Sequence, residues 1–355
     1  MDASSSEDDD RSPAPNRTIP LRLPSGRLFR ISYGSAILVG FGALIWWRHG
    51  SLSAIGTAFS DVQWEWVVVA IGLNVLSVVA RALAWRTVIH SAMDPPRPKA
   101  MLVFSAFSVG LFANAVLPGR IGELARVAVL TRKMPGRKGA WATLVGTVFA
   151  HRVFDIVPVM LLILYVISTA TIPTSARASL VAVITVGVCL FAIAYVGGRR
   201  PGHREPEALG QMRRWLAMGR AGLHVMRSPG ATALAIFLQI LGWTCQLFAV
   251  YTAMRAFDIH APLPAAGVVL LVMNVVTLIP LWPGNVGLVQ AAIASALTAY
   301  GVPYSTGFAY GLGLQAIEAS VGIGVGLIFL AREGLSFAML RVMPEASQAE
   351  LSEVD

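Results

Sequence analysis

Charged residues inside apolar blocks are the first feature of this sequence that could do chemistry. Three carboxylic acids lie within otherwise apolar segments: Glu123, Asp155 and Glu318. Three arginines accompany them: Arg120, Arg126 and Arg152. An ionisable side chain in a bilayer is costly unless it is paired or hydrated, so each one is a candidate functional residue. Arginines in a polar cavity can bind an anionic group, while the carboxylates balance charge or carry protons.

The spacing of these charges predicts which of them share a helix face. Arg120, Glu123 and Arg126 are three residues apart in turn, which places them on one stripe of a helix. Arg152 and Asp155 have the same spacing in a later block. Two interpretations remain open. The charges form either a salt-bridge network that only holds helices together, or a polar cavity that binds an anionic headgroup.

A turn motif occurs twice along the chain. Residues 114–123 (NAVLPGRIGE) and 274–287 (NVVTLIPLWPGNVG) both contain Pro-Gly-x-aliphatic-Gly after an upstream asparagine. A helix that restarts after such a turn has free amides, which attract anions. Chance recurrence in a glycine-rich chain is the alternative. The candidate binding residues of the two turns are Asn114, Pro118, Gly119, Gly122, Asn274, Pro283, Gly284, Gly287 and Gln290.

Composition indicates the elements that must position these residues. Of the 355 residues, 55% are hydrophobic and 13% are charged, whereas a soluble protein carries about a quarter charged residues. Spanning segments of about 20 residues select helices over a barrel. The sequence therefore predicts an all-α polytopic membrane protein. Its apolar blocks are 31–47, 66–85, 101–117, 140–167, 179–196, 230–254, 265–281, 286–300 and 305–330.

The distribution of basic residues predicts how the blocks cross the membrane. If the N-terminus is cytoplasmic, 101–117 should cross outward, yet a basic run from Arg120 to Lys138 follows it directly. The positive-inside rule disfavours that placement, so we expect 101–117 and 120–132 to form a re-entrant hairpin. Blocks 265–281 and 286–300 then form a second hairpin from the outer face. Six full spans plus two oppositely inserted hairpins make an inverted-topology repeat, typical of secondary transporters.

The remaining segments complete the predicted organisation. We expect a disordered cytoplasmic tail at 1–30, one transmembrane domain at 31–332 and a polar cytoplasmic tail at 333–355. Within the domain, 197–229 is predicted to be a basic, amphipathic cytoplasmic loop. The net charge of +9 follows the positive-inside rule, so we expect no nucleic-acid partner. The scattered histidines predict no metal site, and we expect no cofactor.

Four sequence segments resemble one known family. Residues 114–126 (NAVLPGRIGELAR) resemble the signature of the transmembrane domain of lysylphosphatidylglycerol synthases and their stand-alone flippase-like relatives. Three other segments are similar to further markers of the family: 81–86 (RALAWR), 151–155 (HRVFD) and 283–287 (PGNVG). The chain departs from the family pattern at His151, Asn285 and Gln290, where the family usually has Glu, Gly and Glu. An arginine usual in the last span is absent, with Gln315 and Glu318 in that region.

The resemblance implies translocation or handling of lipid headgroups across the cytoplasmic membrane. We expect a lipid translocase whose partners are anionic or glycosylated lipids. Two alternatives remain: an integral-membrane enzyme acting on lipid-linked substrates, and a non-transporting subunit that presents lipid to a partner enzyme. We expect no enzyme activity, because the sequence shows no soluble aminoacyl-transferring domain of the synthase type.

Overall fold

A computed structural model of the chain describes residues 56–116, 121–134, 140–170, 174–199, 223–278 and 283–332. These ranges contain no β-strand, which confirms the all-α prediction. Their helices of eleven residues or more are α1 (Trp64–Ala92), α2 (Ala100–Val116), α3 (Gly122–Arg132), α4 (Ala140–Thr169), α5 (Thr174–Arg199), α6 (Pro229–Ala256), α7 (Leu263–Val276), α8 (Leu288–Thr298) and α9 (Tyr304–Arg332). Two short 3₁₀ helices, Leu223–Arg227 and Pro283–Asn285, precede α6 and α8.

Five helices are long and apolar enough to cross a bilayer: α1, α4, α5 (over Arg177–Arg199), α6 and α9. Each has 23 to 30 residues, and about 20 residues span the hydrocarbon core. They correspond to five of the six predicted full spans. The sixth, 31–47, lies outside the described residues, as do 1–30, 333–355 and most of 197–229.

The four remaining helices are too short to cross. Helices α2, α3, α7 and α8 have 17, 11, 14 and 11 residues. At 1.5 Å per residue they are about 17–25 Å long, against about 30 Å of hydrocarbon. Helix α7 ends at Val276, before the end of the predicted apolar block at 281. Pro280 has no N–H, so it cannot donate the next helical hydrogen bond to the Val276 carbonyl.

Helices α1 and α6 form the most extensive helix pair and lie antiparallel. At one end, the Gln63 N–H donates to the Ala256 carbonyl at 2.9 Å. Near the middle, Gly242 of α6 contacts Arg81 of α1. Because these helices also contact α4 and α9, side chains from several segments meet around the α1–α6 pair.

Helix α9 packs against both short-helix pairs through glycines. A Cβ at Gly311 would lie 3.1 Å from the Cα of Gln290 on α8, and one at Gly326 would lie 2.9 Å from the Ser108 carbonyl of α2. Small residues permit this close approach of membrane helices. Gly311 and Gly326 therefore serve packing.

The outer surface is apolar along α5. None of residues 177–197 is buried, and exposed side chains include Val183, Val186 and Ile193. Such a face is suited to lipid contact. By contrast, Leu223 and Val225, predicted to be on an amphipathic surface helix, are buried together with Met226.

Candidate functional site

Arg152 connects helices α3 and α4 through two carboxylates. Its guanidinium forms an ion pair with Glu123 of α3, and its Nη1 donates to Asp155 Oδ2 at 3.1 Å. The predicted pairing of Arg152 with Asp155 is therefore present, and Glu123 joins the same network. The Arg152 side chain is 53% exposed, whereas the Asp155 side chain is 13% exposed.

Arg126 occupies the buried end of this network. It is 3% exposed and pairs with Glu123, three residues earlier on the same helix. Its Cζ lies 4.5 Å from the ring centre of Trp85 and 5.3 Å from that of Phe107. The Trp85 indole donates to Thr147 Oγ1 at 3.1 Å. Two aromatic rings and a carboxylate thus hold Arg126 in one position.

Asp155 is fully engaged by neighbouring donors. Besides Arg152, it accepts hydrogen bonds at Oδ1 from Gln239 Nε2 at 2.8 Å and from Trp243 Nε1 at 3.1 Å. Both donors belong to α6. His151 lies one turn away, but its ring packs edge-on against Phe107 at a centroid distance of 6.0 Å.

One face of α6 organises the rest of the site. Gln239 and Trp243 contact Asp155, while Gln246 donates to Glu318 Oε1 of α9 at 2.6 Å. Residues three and four apart share a helix face. A single polar stripe on α6 therefore holds one carboxylate of α4 and one of α9.

Arg81 and Glu318 are charged groups of the site that have no ion-pair partner among the described residues. Within the described ranges, no carboxylate oxygen lies within 4.0 Å of the Arg81 guanidinium, and no basic nitrogen lies within that distance of Glu318. Arg81 instead lies over the Trp243 ring, 5.0 Å from its centroid. It still interacts electrostatically with Asp155 and Glu318.

The first short-helix pair is closed by a side chain. The Gly122 N–H, at the start of α3, donates to Asn114 Oδ1 of α2 at 2.8 Å. A Cβ at Gly110 would lie 2.8 Å from the Gly122 carbonyl. The two helices are thus antiparallel and in backbone contact. Pro118, Gly119 and Arg120 lie outside the described residues.

The second turn is linked to α9 by glutamine side chains. Gly284 and Gly287 have φ values of 69° and 92°, a conformation that favours glycine. The Gly287 N–H donates to Gln290 Oε1 at 2.6 Å. The Gln290 amide donates to Gln315 Oε1, and the Gln315 amide donates to the Gly284 carbonyl.

The two upstream asparagines are not equivalent. Asn114 reaches across its turn, whereas Asn274 donates to the Leu270 carbonyl of its own helix at 2.7 Å. Asn285 takes the crossing role in the second turn, donating to the Val276 carbonyl at 2.9 Å. Pro283 begins the 3₁₀ helix of this turn.

Several site residues were not among the sequence candidates. Arg81 had a clear signal, since it is a charge within the apolar block 66–85. Gln239 and Gln246 are polar residues seven apart in another apolar block, a weaker signal. The structure adds to the candidate site Arg81, Gln239, Trp243, Gln246, Asn285 and Gln315.

These features define a polytopic helical membrane protein with a charged cluster between its helices. The chain belongs to the lysylphosphatidylglycerol synthase TM region family, whose model matches residues 31–326. The family relates it to membrane lipid modification. No curated protein and no solved structure matches the chain. In the part of the chain that the structure describes, no group of three His, Cys, Asp or Glu side chains could hold a metal ion.

Proposed function

We propose that this protein is a lipid translocase that binds an anionic or glycosylated headgroup at the charged cluster. The observation that carries the proposal is the exposure of Arg152, which is 53% for its side chain. Arg152 lies near the middle of α4, in a helix of spanning length. A charge at that depth needs a partner or a polar surrounding. Its exposed face offers a headgroup a polar contact while the lipid tails stay in the bilayer.

The two short-helix pairs support a transporter arrangement. In the proposed topology they are re-entrant hairpins that enter from opposite faces, with six full spans and both termini in the cytoplasm. Helix α2 also contacts the 283–285 turn, so elements of the two pairs meet. Irregular backbone at membrane depth is tolerated where protein or a polar cavity covers it. We place the protein in the plasma membrane.

The proposed activity changes the position of a lipid and leaves its covalent bonds intact. Membrane lipids are the partners, and an enzyme that modifies the same lipid would supply or consume the transported molecule. The asparagine and glycines of each turn would shape the path, while the buried carboxylates compensate the arginines.

Reconstitution of the full chain tests the proposal. Liposomes containing fluorescent phosphatidylglycerol would be treated with an impermeant quencher that reports lipid in the outer leaflet. We expect wild type to increase the accessible fraction and Arg152→Gln to slow that increase. Arg177→Gln, an exposed arginine at the start of the α5 span, is the control and should match wild type.

Three outcomes would contradict the proposal or indicate another function. Absence of movement for every anionic and glycosylated lipid, with and without ion gradients, contradicts translocation. A change in lipid mass after incubation would indicate a membrane enzyme. Activity that requires a co-purified protein would indicate an accessory subunit.

A further inference from the structure

Arg81 is a cation with one buried N–H donor that has no hydrogen-bond partner in the structure. Its Nε is buried without a hydrogen-bond partner, and its guanidinium faces the Trp243 ring at 5.0 Å. An arginine has five N–H donors and remains charged. A buried donor without a partner is costly, so such a group indicates an absent ligand or a structural compensation.

The neighbouring carboxylates cannot neutralise Arg81 as the structure stands. Asp155 is held by Arg152, Gln239 and Trp243, and Glu318 accepts from Gln246. Both carboxylates interact electrostatically with Arg81, yet neither lies within the 4.0 Å of an ion pair. Arg81 therefore interacts electrostatically with two acids, each of which accepts its hydrogen bonds from other donors.

The other two arginines of the site each form an ion pair with a carboxylate, although Nε and Nη2 of Arg126 also lack a hydrogen-bond partner. Arg126 pairs with Glu123, and Arg152 bridges Glu123 and Asp155. An anion that binds either of them must compete with a carboxylate already in contact. At Arg81 no such contact has to be broken, so an added anion gains most there.

Helix α6 is shaped to hold the Arg81 side chain. A Cβ at Gly242 would lie 2.9 Å from Arg81 Cγ and 3.4 Å from its Nε. The absence of a side chain at 242 thus leaves room for the arginine stem. Trp243, next along α6, covers the guanidinium.

We propose that Arg81 binds the phosphate group of the ligand, and that Glu318 weakens this binding as a nearby like charge. The subsite rests on the proposed function and identifies which arginine receives the headgroup. Arginine binds phosphate through two parallel hydrogen bonds. The same chemistry would accept the phosphodiester of a lipid or free phosphate.

Equilibrium binding to the full chain in nanodiscs tests the subsite. The probes are dioleoylphosphatidylglycerol, dioleoylglycerol (which lacks phosphate) and inorganic phosphate as a competitor. We expect Arg81→Gln to weaken phosphatidylglycerol binding about tenfold or more, the usual effect of losing charge-assisted hydrogen bonds. Binding of dioleoylglycerol should not change. Competition by inorganic phosphate would identify the free ion as a ligand, and its absence would identify the lipid.

Two further variants keep the test decisive if Arg81→Gln fails to fold. Glu318→Gln should tighten phosphatidylglycerol binding, because it removes the competing charge. Gly242→Ala should weaken it by displacing the arginine stem. Gly72→Ala on α1 is the matched control, since a Cβ there has nothing within 4 Å, and it should bind like wild type.

The outcomes separate this inference from the proposed function. Wild-type affinity in folded Arg81→Gln, or in both Gly242→Ala and Glu318→Gln, overturns the subsite. If wild type translocates lipid but Arg81→Gln binds phosphatidylglycerol with unchanged affinity, the proposed translocase function is retained and the Arg81 subsite is wrong. If phosphatidylglycerol binding depends on Arg81 but no lipid is translocated, the translocase function is contradicted and the Arg81 subsite is retained.

Discussion

Arg152 and Arg126 both contact Glu123, but their side chains differ in how exposed they are. The Arg152 side chain is 53% exposed and that of Arg126 is 4% exposed. Aromatic rings hold Arg126, while Arg152 depends on two carboxylates. Arg126 therefore fixes the position of Glu123, whereas the half-exposed Arg152 is held only by its two carboxylates.

Asp155→Asn should separate the charge of this residue from its hydrogen bonds. The amide oxygen can still accept from Gln239 and Trp243, but Arg152 loses one carboxylate. Removing one partner of a fully buried ion pair costs about 3–5 kcal/mol. We expect a smaller loss of stability here, because Arg152 is half-exposed and keeps Glu123. Translocation should nevertheless fall, since Arg152 is then held by one carboxylate, Glu123, instead of two.

Thermal unfolding in detergent and the liposome assay measure these two effects. Asp258→Asn is the control, because that side chain is 70% exposed in the loop between α6 and α7. Full translocation by Asp155→Asn would show that the Arg152–Asp155 pair has a purely structural role.

The sequence predicted the contacts of the site only within one helix. The three-residue spacing correctly identified the Glu123–Arg126 and Arg152–Asp155 pairs. The contact of Arg152 with Glu123 joins residues 29 apart, and that of Gln239 with Asp155 joins residues 84 apart. Helical periodicity relates neighbours on one element and contains no information about which elements meet.

At the scale of elements, uncharged amides attach α8 to α9. Gln290 is fully buried, and its amide connects the Gly287 N–H to Gln315. Amide pairs satisfy buried donors without adding charge to the bilayer. The second turn is therefore fixed by neutral hydrogen bonds, whereas α3 carries charged groups.

A double-mutant cycle measures this attachment. Gln290→Leu and Gln315→Leu should each lower the free energy of unfolding. The loss in the double variant should be smaller than the sum of the two single losses. Hydrogen bonds between membrane helices contribute about 0.6–2 kcal/mol, which is the expected coupling energy. Gln290→Leu combined with Thr298→Val, whose hydroxyl donates to the Ser295 carbonyl of its own helix, should be additive. If the losses in unfolding free energy for Gln290→Leu and Gln315→Leu are additive, the hydrogen bond between these glutamines does not attach α8 to α9.

The two turns show how far a repeated motif predicts an element. Each motif lies between two short helices, although residues 117–120 of the first motif are outside the described ranges. The equivalence of Asn114 and Asn274 does not hold, because Asn274 lies in the last turn of α7, where its own helix supplies an acceptor. Asn285 has φ of 45° and reaches back instead. Motif similarity therefore predicted the turns but not which side chain closes each one.

At the scale of the whole molecule, charge placement predicted which helices are short. With a cytoplasmic N-terminus, the positive-inside rule disfavours a further long span between α1 and α4, because a basic run follows residue 120. The structure has two short antiparallel helices, α2 and α3, in that interval. Packing between α1 and α6 could not be predicted, since apolar residues are spread around both helices and many pairings would bury them equally well.

Cysteine labelling tests the two hairpins in the intact membrane. Single cysteines would replace Lys99 and Lys133, before and after α2–α3, and His260 and Ala299, around α7–α8, in a variant without Cys189 and Cys245. All four replaced residues are exposed. A re-entrant pair returns the chain to the side it left, so an impermeant maleimide should label 260 and 299 from outside, and 99 and 133 only after permeabilisation.

If 99 and 133 label from opposite sides, α2 and α3 together cross the bilayer, and the inverted repeat is wrong. Labelling of 260 and 299 from opposite sides would refute the second hairpin alone. Each hairpin is therefore tested independently, because each has its own pair of labelling positions.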